Sequence, residues 1–138
     1  MVQVQSMTKI VIVDQHPAFR ESLGMMLHEF LAEIQITGVE TSQQFISDLD
    51  QISPDLVIMD GRLPDRSGIE TATIALAKKP LLHIIMLIMF PEDQYVQKAR
   101  EAGVKGFLPK PPGLKELMGA CQIVMSGGSY FPSEIEMP

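Results

Sequence analysis

Tryptophan is absent from this 138-residue chain, tyrosine occurs twice and cysteine once. A lone Cys121 excludes an internal disulfide, and the simple reading is a protein of the reducing cytoplasm. Its position on the apolar stripe of an expected helix makes Cys121 a buried structural thiol. Positive charge is also scarce: 11 Lys and Arg stand against 17 Asp and Glu, a formal net charge of −6. That balance opposes nucleic-acid binding through a basic face, because phosphate neutralisation dominates such affinity. Long apolar runs are missing as well. The most apolar stretch, Leu81 to Phe90, contains His83 and is about half the length needed to span a bilayer, so it reads as a buried strand. Met1 to Ser6 lack the charged and apolar regions of a signal peptide. No repeat or low-complexity segment interrupts the chain. His28 and His83 have no acidic or cysteine partners at metal-ligand spacing and receive no role.

What is present is a set of short apolar runs ending in residues suited to phosphate chemistry. Lys9-Ile10-Val11-Ile12-Val13 leads into Asp14, Leu56-Val57-Ile58-Met59 into Asp60, and Val104-Lys105-Gly106-Phe107-Leu108-Pro109 into Lys110. In an open parallel sheet the carboxyl ends of the strands share one edge, and ligands bind in the crevice there. Two carboxylates and one ammonium at one edge can hold a divalent cation and a phosphoryl group. Each has a plainer reading alone: Asp60-Gly61 favours a turn, Asp14 can cap the following helix, and Lys110 can be a solvated surface lysine. Phe107 reads equally as a half-buried strand aromatic, His16 as a surface or helix-entry residue, and the ten methionines as core filling.

Strand and helix patterns alternate along the chain. Strands are expected over 8–14, about 34–39, 55–60, 82–89 and 104–109. The first helix enters at Pro17 and presents Phe19, Leu23, Met26, Leu27 and Phe30. Thr41 or Ser42 caps a second helix carrying Phe45, Ile46 and Leu49. Ile69, Ala72, Ile74 and Leu76 mark a third, ended by Lys78, Lys79 and Pro80. Pro91, Glu92 and Asp93 open a fourth, with negative charge at its positive end, and Gly103 closes it. Leu114, Leu117, Met118, Cys121, Val124 and Met125 line a fifth, ended by Gly127-Gly128. With right-handed crossovers this α/β, (βα)5 pattern gives a doubly wound, flavodoxin-like sandwich around a five-stranded parallel sheet.

Val13-Asp14-Gln15-His16-Pro17, Met59-Asp60-Gly61-Arg62-Leu63-Pro64, Gly68, Gly103 and Gly106-Phe107-Leu108-Pro109-Lys110-Pro111 together resemble the receiver domain of two-component response regulators. His16-Pro17-Ala18-Phe19-Arg20-Glu21 and Gly127-Gly128-Ser129-Tyr130-Phe131 are similar to its NarL/FixJ (LuxR-type) subfamily. The resemblance implies a phosphoacceptor at Asp60, supplied by a sensor histidine kinase. It implies Mg²⁺ held by Asp14, Asp60 and the backbone carbonyl of Arg62, and a phosphoryl contact from Lys110. A cis Lys110-Pro111 bond and a switch aromatic at Phe107 also follow from it. Such a domain is a stoichiometric switch rather than a turnover enzyme.

Two positions depart from the family pattern. Gln15 stands where a second acid normally ligates the metal; its amide oxygen can still coordinate, but without charge, so Mg²⁺ affinity should fall. Ile88 stands where a Thr or Ser hydroxyl normally binds the phosphoryl group and draws in the following loop. Two readings follow: phosphorylation of Asp60 with a weakened response, or a degenerate pseudo-receiver that acts as a phosphorylation-independent dimerisation or docking module. The expected organisation is an N-terminal extension over 1–7, a receiver domain over 8–127, and over 128–138 the start of a linker to an output domain. That output domain would be DNA-binding and transcriptional, so DNA would be a partner only through it. A homodimer would form through the surfaces such domains commonly use, the fourth helix, fifth strand and fifth helix or the first and fifth helices, and no membrane partner is expected. A flavodoxin-type carrier would need a hydroxyl- and glycine-rich loop where Gln15-His16-Pro17 stands. A haloacid-dehalogenase-type phosphatase would need a second aspartate two residues after the first, and the P-loop pattern is missing.

Overall fold

The computed structural model describes residues 7–131. The outer parts of the expected N-terminal extension and of the expected linker, residues 1–6 and 132–138, lie outside the described residues. The strands are β1 (Thr8–Val13), β2 (Ile34–Val39), β3 (Leu56–Asp60), β4 (Ile84–Ile88) and β5 (Gly106–Pro109). The helices between and after them are α1 (Pro17–Phe30), α2 (Ser42–Ile52), α3 (Gly68–Lys78), α4 (Asp93–Ala102) and α5 (Leu114–Met125). All four strand pairings are parallel, and the sheet order is β2-β1-β3-β4-β5. The flavodoxin-like (βα)5 sandwich expected from the sequence is therefore the fold.

Alternation along β1 shows why the core has two halves. Ile10 and Ile12 point to the side covered by Leu23 and Leu27 of α1 and by Leu117, Cys121 and Val124 of α5. Val11 and Val13 point to the other side, packing with Phe45 and Leu49 of α2, Ala72 and Ala75 of α3, and Val96 and Ala99 of α4. With both faces covered, the strands of a parallel sheet become continuous apolar runs. Every residue of β3 and β4 is buried. Cys121 is fully buried, and burial pushes its thiol pKa up to about 12.

Several local expectations need adjusting. The apolar run 81–90 is a buried strand only in its middle: Leu81 is 90% exposed, and Met89 and Phe90 are 62% and 78% exposed. The ladder decides this, because β4 pairs from Ile84 opposite Val57 to Ile88 opposite Pro109, and residues beyond have no partner strand. The methionines are not uniformly core. Met59 and Met86 are buried, whereas Met7, Met25 and Met89 are exposed. Phe107, which the sequence also allowed as a half-buried aromatic, has no exposed surface. Thr41 rather than Ser42 caps α2, its hydroxyl accepting from the Gln44 amide at 3.1 Å. Gly103 ends α4 at φ 102°, a left-handed conformation that favours glycine. After α5 the chain returns to the sheet: Tyr130 bridges to Gly106, its N–H donating to the Lys105 carbonyl and its carbonyl accepting from Phe107.

Candidate functional site: an acid–lysine crevice

The chain crosses from one side of β1 to the other between β2 and β3, so the order reverses at the C-terminal ends of β1 and β3. That is where an open α/β sheet leaves a crevice. Asp14 follows β1, Asp60 is the last residue of β3, and Lys110 follows β5. Asp14 and Asp60 are 1% and 8% exposed. The Lys110 ammonium bridges them, donating to Asp14 Oδ2 at 2.6 Å and to Asp60 Oδ2 at 2.9 Å. Its side chain is only 11% exposed, so it is no solvated surface lysine, and it lies 4.5 Å from the centre of the Phe19 ring. Burial by itself pulls the Lys110 pKa down; the hydrogen bonds and negative charge of Asp14 and Asp60 outweigh it and leave the group above its ordinary value.

The remaining carboxylate oxygens are held by backbone. Asp60 Oδ1 accepts from the Arg62 N–H at 3.0 Å. Asp14 Oδ1 accepts from the His16 N–H at 2.8 Å, and His16 Nδ1 lies 3.2 Å from the same oxygen. His16 is also the N-cap residue of α1, so the helix-entry reading of it is right in position. It does more than that, because Asp14, His16 and Asp60 offer three ligand atoms within 4.8 Å of one another. A buried charged pair is costly to assemble and costly to break by removing one member. Holding a lysine between two buried acids is therefore an arrangement the fold pays for.

The mouth of the crevice is lined by Gln15, His16, Arg62, Ile88, Met89 and Phe90 around Asp60 and Lys110. Gln15 thus stands at the site, beside the buried acids. Ile88 is 4% exposed and presents no hydrogen-bond donor to the crevice. The Lys110-Pro111 peptide is cis, as the resemblance implied. The carboxylates form a hard oxygen donor set of the kind Mg²⁺ takes.

Sequence reasoning missed Tyr95, which reaches back from the first turn of α4. Its hydroxyl donates to the Gly61 carbonyl at 2.9 Å, and its ring meets Phe107 edge-on at 6.0 Å between centroids and 66° between planes. Burial, then the negative charge of Asp60, pushes the phenol pKa up to about 12. In the sequence Tyr95 is one aromatic among polar residues, and no periodicity marks it. The apolar lip made by Met89 and Phe90 was hidden in the same way, inside a run that reads as strand.

The structure is thus a doubly wound α/β domain with an acid–lysine crevice at its topological switch point. The family model for the response regulator receiver domain matches residues 10–122, and the chain belongs to that family. It is 26% identical over 130 residues to response regulator GacA of Pseudomonas syringae pv. syringae, covering 94% of this chain and 60% of the relative. It is 28% identical over 130 residues to the transcriptional regulatory protein LnrK of Bacillus subtilis, covering 94% and 59%. With response regulator protein VraR of Staphylococcus aureus the identity is 29% over 128 residues, covering 92% and 61%. The chain thus spans about 60% of the length of these relatives. Among solved structures it is similar to a LuxR-family two-component response regulator from Aurantimonas sp. SI85-9A1, with TM-score 0.85, 26% identity and 95% and 94% of the two chains covered. The isolated REC domain of RcsB from Salmonella enterica serovar Typhimurium shares the fold, with TM-score 0.84, 20% identity and 95% and 97% covered. Among the described residues no helix is long and apolar enough to cross a membrane.

Proposed function

We propose that this receiver domain accepts a phosphoryl group on Asp60 and relays the change to an output domain. The observation that carries the reading is the bridge from Lys110 Nζ to both Asp14 and Asp60 in one crevice. In the transfer, an Asp60 carboxylate oxygen forms a new P–O bond as the P–N bond to the phosphodonor imidazole of a sensor histidine kinase breaks. The imidazole nitrogen leaves with the electron pair and takes up a proton. Lys110 follows the phosphoryl oxygens, trading one anionic partner for another. Asp14 accepts from the ammonium and keeps it in place.

Asp14, Asp60 and the Arg62 backbone carbonyl would hold Mg²⁺, with Gln15 as a neutral and weaker contributor. Bound there, the ion would offset charge on the transferred group. The domain then works as a switch that is consumed once per signal and not as a turnover enzyme. Its place is the cytoplasm, where the kinase domain that feeds it must meet it. We read the receiver as 8–127 with a linker beginning at 128, and the greater length of the relatives named as transcriptional or response regulators supports an output domain beyond it, DNA-binding in this reading. The docking-module alternative is less favoured, since a module without phosphate chemistry has no need to hold a lysine between two buried acids.

The test is intact mass after incubation with a small phosphodonor and Mg²⁺. Wild type should gain one phosphoryl mass and Asp60→Asn none. No adduct on a folded wild type would turn the reading to the phosphorylation-independent module.

A further inference from the structure

We propose that Tyr95 senses the state of the Asp60 site through the Gly61 carbonyl and carries it to α4. This rests on the reading of Asp60 as phosphoacceptor and adds the route by which the rest of the domain senses it.

The backbone just after Asp60 is tied at several points. The Gly61 N–H donates to the Leu87 carbonyl at 2.8 Å, the Gly68 N–H donates to the Gly61 carbonyl at 2.8 Å, and Arg62 N–H donates to Asp60 Oδ1. The Tyr95 hydroxyl is the second donor on that Gly61 carbonyl, at 2.9 Å. Of these ties it is the one that comes from α4. Any turn of the 61–62 peptide, such as a new group on Asp60 would impose, must stretch, break or shorten it.

The fold keeps room for this contact. A Cβ at residue 61 would stand 2.6 Å from the Tyr95 hydroxyl and 3.2 Å from the Ile88 Cδ1. Gly61 is therefore required by the contact, over and above any turn preference. On its other side the Tyr95 ring lies against Phe107 of β5, which is fully buried. Ile88 offers no donor toward the crevice, so it cannot report the site by hydrogen bonding. Meanwhile α4 buries only Val96 and Ala99, so few contacts hold it and a single bond weighs heavily on its local stability.

The experiment compares the folded chain with and without beryllofluoride plus Mg²⁺, a phosphoryl mimic that needs Asp60. Hydrogen exchange is read at residues 96–99, and intact mass with a small phosphodonor is read in parallel. One partly buried hydrogen bond made or lost allows a change of about tenfold in exchange. That change is expected in wild type and should be lost in Tyr95→Phe, whose Asp60 is still labelled. Gly61→Ala, which displaces the phenol without removing it, should behave like Tyr95→Phe. Tyr130→Phe leaves Tyr95 as the sole phenol, in a chain with 2 Tyr and no Trp, and its emission should shift on adding the mimic. A wild-type response at residues 96–99 that persists unchanged in a labelled Tyr95→Phe overturns the relay alone, as does an unmoved emission. No label on wild-type Asp60 overturns the phosphoacceptor reading and the relay with it.

Discussion

At the scale of single residues, the site is decided by what faces Asp60 from its neighbours. Gln15 lines the crevice without charge. Restoring a carboxylate by Gln15→Asp should tighten Mg²⁺ about tenfold, the effect of roughly 1.4 kcal/mol of added ion pairing. Calorimetric titration checks this, and an unchanged affinity would place the metal away from residue 15. Ile88 lies buried beside Gly61. Ile88→Thr should strengthen the response to beryllofluoride by giving the crevice a hydroxyl donor; equal responses in chemical-shift mapping would show that residue 88 plays no part. Tyr95 and Lys110 also set an alkaline limit. Burial pushes the Tyr95 phenol from its ordinary 10.0 up to about 12, and Asp14 and Asp60 hold the Lys110 ammonium above its usual 10.5. In both cases the folded state holds its proton longer, so stability is intact below about pH 10 and declines as pH rises beyond it. Melting curves taken across that range should show the decline, and Tyr95→Phe should lessen it.

At the scale of elements, caps and ladders set where each segment starts and stops. The most consequential cap joins two segments distant in sequence. Asp65, in the loop that follows β3, accepts from the Ser42 and Gln43 amides at the start of α2, both at 2.9 Å. Burial opposes its charge, but the backbone donors and Arg66 together outweigh it and hold its carboxyl below the usual 3.8. The sign follows: the contribution is present above pH 3.8 and is lost as pH falls through the lower folded value. Asp65→Ala should cost about 1 kcal/mol, as losing an N-cap acceptor does. Chemical denaturation at neutral pH measures it, and equal midpoints would show that water serves those amides as well. This cap is invisible to local sequence patterns, because it comes from a loop 22 residues away. By contrast Thr41 and Gly103 mark their helix ends with adjacent residues, and those were legible. The ends of β4 were not, since apolar residues alone do not say where the partner strands stop.

At the scale of the whole molecule, a net charge of −6 governs encounters. The chain by itself should show no measurable affinity for nonspecific duplex DNA at moderate salt, because no surplus of cations is available to release counterions. Fluorescence anisotropy with labelled duplex tests this; retardation with a steep salt slope would locate a basic surface that the charge balance argues against.

The sequence by itself determined the parallel α/β class, the strand-end positions of Asp14, Asp60 and Lys110, the buried Cys121 and the scarcity of basic charge. Those properties are set by periodicity, chain order and composition, which are local or additive. Only the tertiary structure decided that Lys110 bridges both acids rather than facing water, that Met89 and Phe90 leave the sheet to form a lip, that Asp65 caps a distant helix and that Tyr95 bonds Gly61 while its ring lies edge-on to Phe107. Each of these joins residues far apart in the chain, and their meeting depends on strand order and register, which no local pattern encodes.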